Sequence, residues 1–159
     1  MKFDTGTELP DNFVLTKEFS DVYNLINDTN VNLFITGKAG SGKSTLLEYF
    51  RQNTNKNFVT LAFQGITAIK AKGQTLHSFF KFGPHFLAKE EIKLLKDKSL
   101  IQSLDTILID EISMVRADLF DAIDLSLKKN RKNNKPFGGV QMIVFGDVMQ
   151  IDPIVGSSD

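Results

Sequence analysis

The run Gly37-Lys38-Ala39-Gly40-Ser41-Gly42-Lys43-Ser44 fills every fixed position of G-x-x-x-x-G-K-[ST] and constrains this chain more than any other stretch. Before it lies Val31-Asn32-Leu33-Phe34-Ile35-Thr36, an apolar run of β character. After it, Thr45-Leu46-Leu47-Glu48-Tyr49-Phe50-Arg51 has helical spacing. A strand, a glycine loop and a helix in that order are a site for a polyphosphate. Backbone N–H groups can wrap phosphate oxygens only where side chains are small or missing, which Gly37, Ala39, Gly40, Ser41 and Gly42 allow. The loop also ends at a helix N-terminus, whose unpaired N–H groups and positive dipole end favour an anion. Lys43 is expected to reach the β- and γ-phosphates and Ser44 to offer its hydroxyl to Mg²⁺, with Thr45 next in the first turn.

The remaining elements predict where such a loop would sit. Thr16 is a candidate N-cap for a helix reaching Ile26, with Phe19, Val22, Tyr23 and Ile26 at helical spacing and Asn27-Asp28 as the stop. Further strands are expected at Phe58 to Phe63, Thr106 to Ile109 and Val140 to Phe145. Helices are expected at Ile66 to Lys72, from Leu76 until Gly83-Pro84, and at Ala88 to Lys98. A longer one of roughly fifteen residues should start at Arg116, with Leu119, Phe120, Ile123 and Leu127 on its apolar stripe. Apolar strands alternating with helices imply an α/β fold whose mainly parallel sheet is covered on both faces. Ligands bind at the carboxyl ends of the strands in such a sheet. Residues 37–44, Gln64-Gly65, Asp110-Glu111 and Gly146-Asp147 all fall at those ends.

An acid at the end of an apolar strand is what Mg·ATP requires, because a carboxylate can hold the hydrated Mg²⁺ that bridges two phosphates. Asp110 fits that role, and Glu111 beside it is the expected general base that polarises a water for in-line attack. Past the last strand, Gln150 is a candidate to sense the γ-phosphate or orient that water, supported by Asp147.

Length and charge exclude some classes. A chain of 159 residues with 42% hydrophobic residues is expected to form one domain over 1–159 with one core. With Lys+Arg and Asp+Glu both 19 there is no global basic field, so contact with nucleic acid must use a local patch. The absence of cysteine excludes disulfides, thiolate metal sites and a thiol nucleophile. The N-terminal residues lack the unbroken apolar run of a signal peptide, and no stretch is long enough to cross a bilayer. The expectation is a soluble cytoplasmic protein, with no membrane partner and a monomer favoured; lysine and asparagine usage points to a bacterial source.

Together, GKAGSGKST, GQTLHSFF (Gly73 to Phe80), IDEISM (Ile109 to Met114), PFGG (Pro136 to Gly139) and GDVMQIDP (Gly146 to Pro153) resemble the PIF family of superfamily 1B DNA helicases, relatives of RecD. The resemblance covers about residues 31 to 155. It implies a three-layer RecA-like domain, the first motor domain of an enzyme that uses ATP and Mg²⁺ to move 5′ to 3′ along single-stranded DNA. The strand ending at Gly146 would lie between the P-loop strand and the Asp110 strand. Carried over, Lys43 and Ser44 fall in motif I, Asp110 and Glu111 in motif II and Gln150 in motif III. Gly65 and the segment Thr75 to Phe79, with His77, would face single-stranded DNA. Members commonly have Pro-Thr-Gly where this chain has Phe63-Gln64-Gly65, so Gln64 stands in for the threonine. They also often carry a glutamine before the P-loop to read adenine, whereas the first glutamine here is Gln52.

The resemblance also implies a second RecA-like domain bearing an arginine that reaches the γ-phosphate, and the sequence ends at Asp159 without one. The expectation is a chain that binds nucleotide, hydrolyses it slowly and unwinds nothing alone, since an arginine finger supplies ~10³ to 10⁵ in rate. By residue type alone, His77 suits a helix start, and Phe79, Phe80 and Phe82 suit packing, with one aromatic kept as a candidate for base stacking. The basic run 128–135 suits either a phosphate grip or a solvated helix end. A P-loop small-molecule kinase and a non-hydrolysing nucleotide-dependent binding module are the alternatives to the motor.

Overall fold

A computed structural model describes residues 16–36, 43–62, 74–82, 92, 94–96, 98–110 and 117–146. In chain order these form α1 (Lys17–Asp28), β1 (Leu33–Thr36), α2 (Lys43–Asn53), β2 (Phe58–Ala62), β3 (Gln74–Thr75) and α3 (Leu76–Phe80). Then follow α4 (Lys98–Ser103), β4 (Thr106–Asp110), α5 (Ala117–Arg131), a tight 3₁₀ turn at Pro136–Gly139 and β5 (Gln141–Gly146). Among the described residues the strands make one parallel sheet in the order β1-β5-β4-β2-β3. β5 thus separates β1 from β4, as the family resemblance implies.

The sheet is central because its strands are apolar on both faces. Phe58, Leu108, Ile143 and Phe145 point to one side, where they meet Ile26 of α1 and Leu46, Leu47 and Phe50 of α2. Val59, Leu61, Ile107, Ile109, Met142 and Val144 point to the other, against α3, α4 and α5. The apolar stripe of α5 is as its spacing predicts, with Ile123 and Leu127 fully buried. Thr16 caps α1, its hydroxyl accepting from Phe19 N at 3.1 Å.

Three differences from the sequence reading have physical causes. β3 was not expected; it is two residues long and pairs beside β2, with Ala62 opposite Thr75. The helix expected over Ala88 to Lys98 is contradicted where it is described: Leu94 and Leu95 are not helical, and α4 starts at Lys98. Backbone groups that a helical ladder would use are taken by α5 side chains, since Leu95 N donates to Asn130 Oδ1 (2.7 Å) and Lys129 Nζ donates to Ile92 O (2.6 Å). Leu94, expected on the apolar side, is 56% exposed. Finally, α3 ends at Lys81, whose left-handed backbone (φ 60°) stops it before Gly83-Pro84. The helix expected at Ile66 to Lys72 lies outside the described residues.

Part of the basic run 128–135 is tied into the fold, while Lys132 and Lys135 are exposed. Arg131 donates to Gly138 O, Ile101 O, Gln102 O and Leu104 O at 2.8 to 3.2 Å, joining α5 to the end of α4 and to the 3₁₀ turn. Lys128 pairs with the buried Asp124 at 2.8 Å, and Asp124 Oδ1 accepts from Phe137 N. Gly138 is required here: its φ is +64°, and a Cβ would stand 2.7 Å from Leu127 O. The PFGG turn is therefore pressed against α5 immediately before β5 begins.

Candidate nucleotide site

Because all the strands are parallel, their carboxyl ends share one edge. Register fixes the row: Thr36 is opposite Gly146, Asp110 is opposite Ala62, and Ala62 is opposite Thr75. Onto this edge open β1, leading to residues 37–42, and β4, ending on Asp110. α2 starts at Lys43 and Ser44 and runs back across the sheet face, so its N-terminus belongs to the same edge. Thr45 is half-buried in its first turn.

The helix that carries Lys43 and Ser44 is firmly held. Leu46, Leu47 and Phe50 bury one side against the sheet, and Phe50 meets Phe58 edge-on at 5.2 Å between centroids. On its α1 side, Tyr49 sits edge-on to Phe19 (5.4 Å) and Tyr23 (4.9 Å). Such pairs add roughly 0.5–1.5 kcal/mol beyond burial. Glu48 and Arg51 form a buried ion pair at 3.2 Å on the same helix, with Gln52 also donating to Glu48. Burial first, then the nearby Tyr49 and Asp28, raises the pKa of Tyr23, so its phenol stays neutral in this cluster.

Asp110 is 7% exposed at the last position of β4. Gly37, Ala39, Gly40, Ser41, Gly42, Glu111 and Gln150 lie outside the described residues, as do Gln64 and Gly65. Of the expected DNA-facing residues, Thr75 is the N-cap of α3, accepting from Ser78 N at 3.1 Å. His77 is half-buried and edge-on to Phe82 at 6.2 Å. Phe79 is 9% exposed and packs in the core against Phe80. The edge strand β3 brings Thr75 level with Asp110 across Ala62, a neighbourhood that no periodicity in the sequence signals.

Hard oxygen donors such as the Asp110 carboxylate and a serine hydroxyl suit Mg²⁺. No cluster of three or more His, Cys, Asp or Glu able to hold a metal occurs among the described residues. A single carboxylate such as Asp110 would suit an ion bound mostly by phosphates and water, not by an all-protein cage.

The model of the PIF1-like helicase family matches residues 14–159. The chain belongs to that family. Among similar PIF1-like proteins are the ATP-dependent DNA helicase RRM3 of Saccharomyces cerevisiae, 34% identical over 151 residues, and Pif1 of Psychrobacter sp., 38% identical over 140. The alignments take in 89% and 79% of this chain but 21% and 20% of those proteins, so the chain spans about a fifth of their length. Two crystal structures of Bacteroides Pif1 are similar in fold. A double mutant gives a TM-score of 0.82 at 40% identity, covering 94% of this chain and 36% of that one. A complex with ADP-AlF3 and single-stranded DNA gives 0.77 at 40% identity, covering 92% and 35%. The three-layer sheet of this PIF1-like chain is thus the RecA-like architecture of those helicases. No helix among its described residues is long and apolar enough to cross a membrane.

Proposed function

We propose that this chain is the first RecA-like motor domain of a 5′-to-3′ DNA helicase, binding ATP with Mg²⁺ and coupling its hydrolysis to movement on single-stranded DNA. The observation that carries this reading is the parallel register that brings Thr36, Gly146 and Asp110 to within one residue of each other at the carboxyl ends of β1, β5 and β4, with β5 between β1 and β4. Residues 37–42 would wrap the phosphates from the end of β1, and Lys43 would neutralise the β- and γ-oxygens. Ser44 and Asp110 would hold Mg²⁺, whose positive charge stabilises the charge developing on the transferred phosphoryl group. Glu111 would accept the proton of the attacking water, and Gln150 would orient that water. In-line attack breaks the bond between the γ-phosphorus and the bridging oxygen, giving ADP and phosphate.

Single-stranded DNA would cross the same edge near Thr75 and His77, with Gln64 and Gly65 as further contacts. This is supported by Thr75 lying level with Ala62 and Asp110, and by the single-stranded DNA held by the similar Bacteroides helicase. Phe79 is the weakest of the expected contacts, because its ring serves the core. A second RecA-like domain would complete the ATP site, so residues 1–159 alone would bind nucleotide, turn it over slowly and not unwind DNA. A monomer in a bacterial cytoplasm is the setting proposed.

ATP turnover by the full chain with and without single-stranded DNA, compared with Lys43→Ala and Glu111→Gln, tests the reading. DNA stimulation that both substitutions remove supports the motor. Turnover that depends on an added small-molecule acceptor would indicate a kinase, and tight binding with no turnover under either condition would indicate a nucleotide-dependent binding module.

A further inference from the structure

Thr60, in the middle of β2, is 4% exposed, and its Oγ1 has no hydrogen-bond partner among the described residues. A buried hydroxyl left this way is costly, so the niche around it is informative. Register places Thr60 opposite Leu108 and Ala62 opposite Asp110. Alternation along the strands then puts Thr60, Ala62, Leu108 and Asp110 on one face of the sheet. This is the face covered by α2, since Phe58 of the same row meets Phe50.

Thr60 and Asp110 are diagonal neighbours across two adjacent strands. With strands about 4.8 Å apart and two residues rising about 6.6 Å, their Cα atoms stand roughly 8 Å apart. Turned toward each other, side chains of this length would close that to the roughly 5 Å that one water spans with two ordinary hydrogen bonds. On the same face, Ala62 beside Asp110 carries only a methyl group, and Leu108 stands opposite Thr60.

We propose that Thr60 is a positioning residue for the nucleotide site: its hydroxyl and the Asp110 carboxylate share one buried water. The water fixes the direction in which the carboxylate faces beyond the end of β4. This inference rests on Asp110 serving Mg·nucleotide as proposed above. The hydroxyl donates to the water or accepts from it, and the water donates to the carboxylate, which gives the buried Thr60 hydroxyl its partner. Thr60 thereby acts on the metal through Asp110 and touches neither nucleotide nor metal.

The test is the affinity of the full chain for a fluorescent ATP analogue, measured in Mg²⁺ and in EDTA. Thr60→Val is expected to cut the gain in affinity that Mg²⁺ gives by about three- to tenfold, leaving binding in EDTA unchanged, while Thr60→Ser restores the gain. A wild-type Mg²⁺ gain in Thr60→Val, or its loss in Thr60→Ser as well, would overturn the proposal. A crystal structure of the full chain supplies an independent reading, with density expected within about 3 Å of both Thr60 Oγ1 and Asp110. Empty density there overturns the water even if a variant does not fold. If the wild-type chain binds no nucleotide, the proposed function fails while the density still decides the water.

Discussion

Lys56 Nζ donates to Gln141 Oε1 across 2.9 Å, tying the loop after α2 to the first residue of β5. The same ammonium donates to Ile26 O (2.7 Å) and Thr29 O (2.6 Å) at the end of α1. Gln141 is 1% exposed and fully used: Oε1 also accepts from Thr106 Oγ1, and Nε2 donates to Thr29 O and Val31 O. This node joins α1, β1, β4 and β5 at the amino end of the sheet, opposite the edge where Asp110 lies.

Gln141→Leu keeps the shape but takes the side-chain partner from Thr106 Oγ1 and Val31 O, one of three acceptors from Lys56 and one of two donors from Thr29 O. The expected cost is about 3 kcal/mol in denaturant unfolding, with nucleotide affinity of the folded protein nearly unchanged. A loss below about 1 kcal/mol would mean that water replaces the amide at little cost.

Burial lowers the pKa of Lys56, against the upward pull of Asp105 and Asp28. In the unfolded chain it returns to 10.5, so between the folded value and 10.5 the unfolded state binds more protons. The sign follows: the penalty for burying the charge is full below the folded pKa and fades as pH rises toward 10.5. Tyr23, with its raised pKa, favours the fold below 10.0 and loses that contribution as pH climbs above it. Chemical denaturation across this alkaline range, wild type against Lys56→Met, isolates the Lys56 part. The difference between the two proteins should change with pH; a constant difference would count against the shift.

Gly138→Ala should destabilise by about 2–3 kcal/mol, because the new methyl meets the Leu127 carbonyl and φ is +64°. Arg131→Lys should also be costly, since an ammonium cannot reproduce a fork that reaches four carbonyls. Thermal melts of both variants check this, and a wild-type melt for Gly138→Ala would show that the turn can shift away from α5.

Thr75→Ala removes the N-cap of α3 and should cost about 1 kcal/mol of stability. If Thr75 also contacts DNA, the variant loses single-stranded DNA affinity beyond what Thr75→Ser loses, since serine keeps the cap. Equal DNA affinity in all three proteins would confine Thr75 to capping.

What could be read from the sequence follows from the range of the interactions. β2, β4 and β5 announce themselves as apolar runs because both of their faces are buried, the partly buried edge strand β1 is apolar too, and the stripe of α5 repeats at helical spacing. The strand order came only through the family resemblance. β3 gives no signal, because a two-residue edge strand of Gln74 and Thr75 has no apolar run to detect. The helix expected near Leu94 failed because Asn130 and Lys129, more than thirty residues on, take the backbone groups of Leu95 and Ile92. Arg131 was hidden for the same reason: a charge run looks alike whether it faces water or four distant carbonyls. For the site, Asp110 at its strand end was legible, whereas the Thr60 niche depends on register between strands.

The central claim is that the loop ending in Lys43 and Ser44 works with Asp110 as an ATP site, and equilibrium titration of the full chain with a fluorescent ATP analogue in Mg²⁺ tests it most directly. Expected is saturable binding that Lys43→Ala weakens by at least about tenfold, the loss of one charged phosphate contact. Asp110→Asn should remove most of the Mg²⁺ dependence. Binding of equal strength in wild type and Lys43→Ala, or no saturable binding by the folded chain, would contradict it.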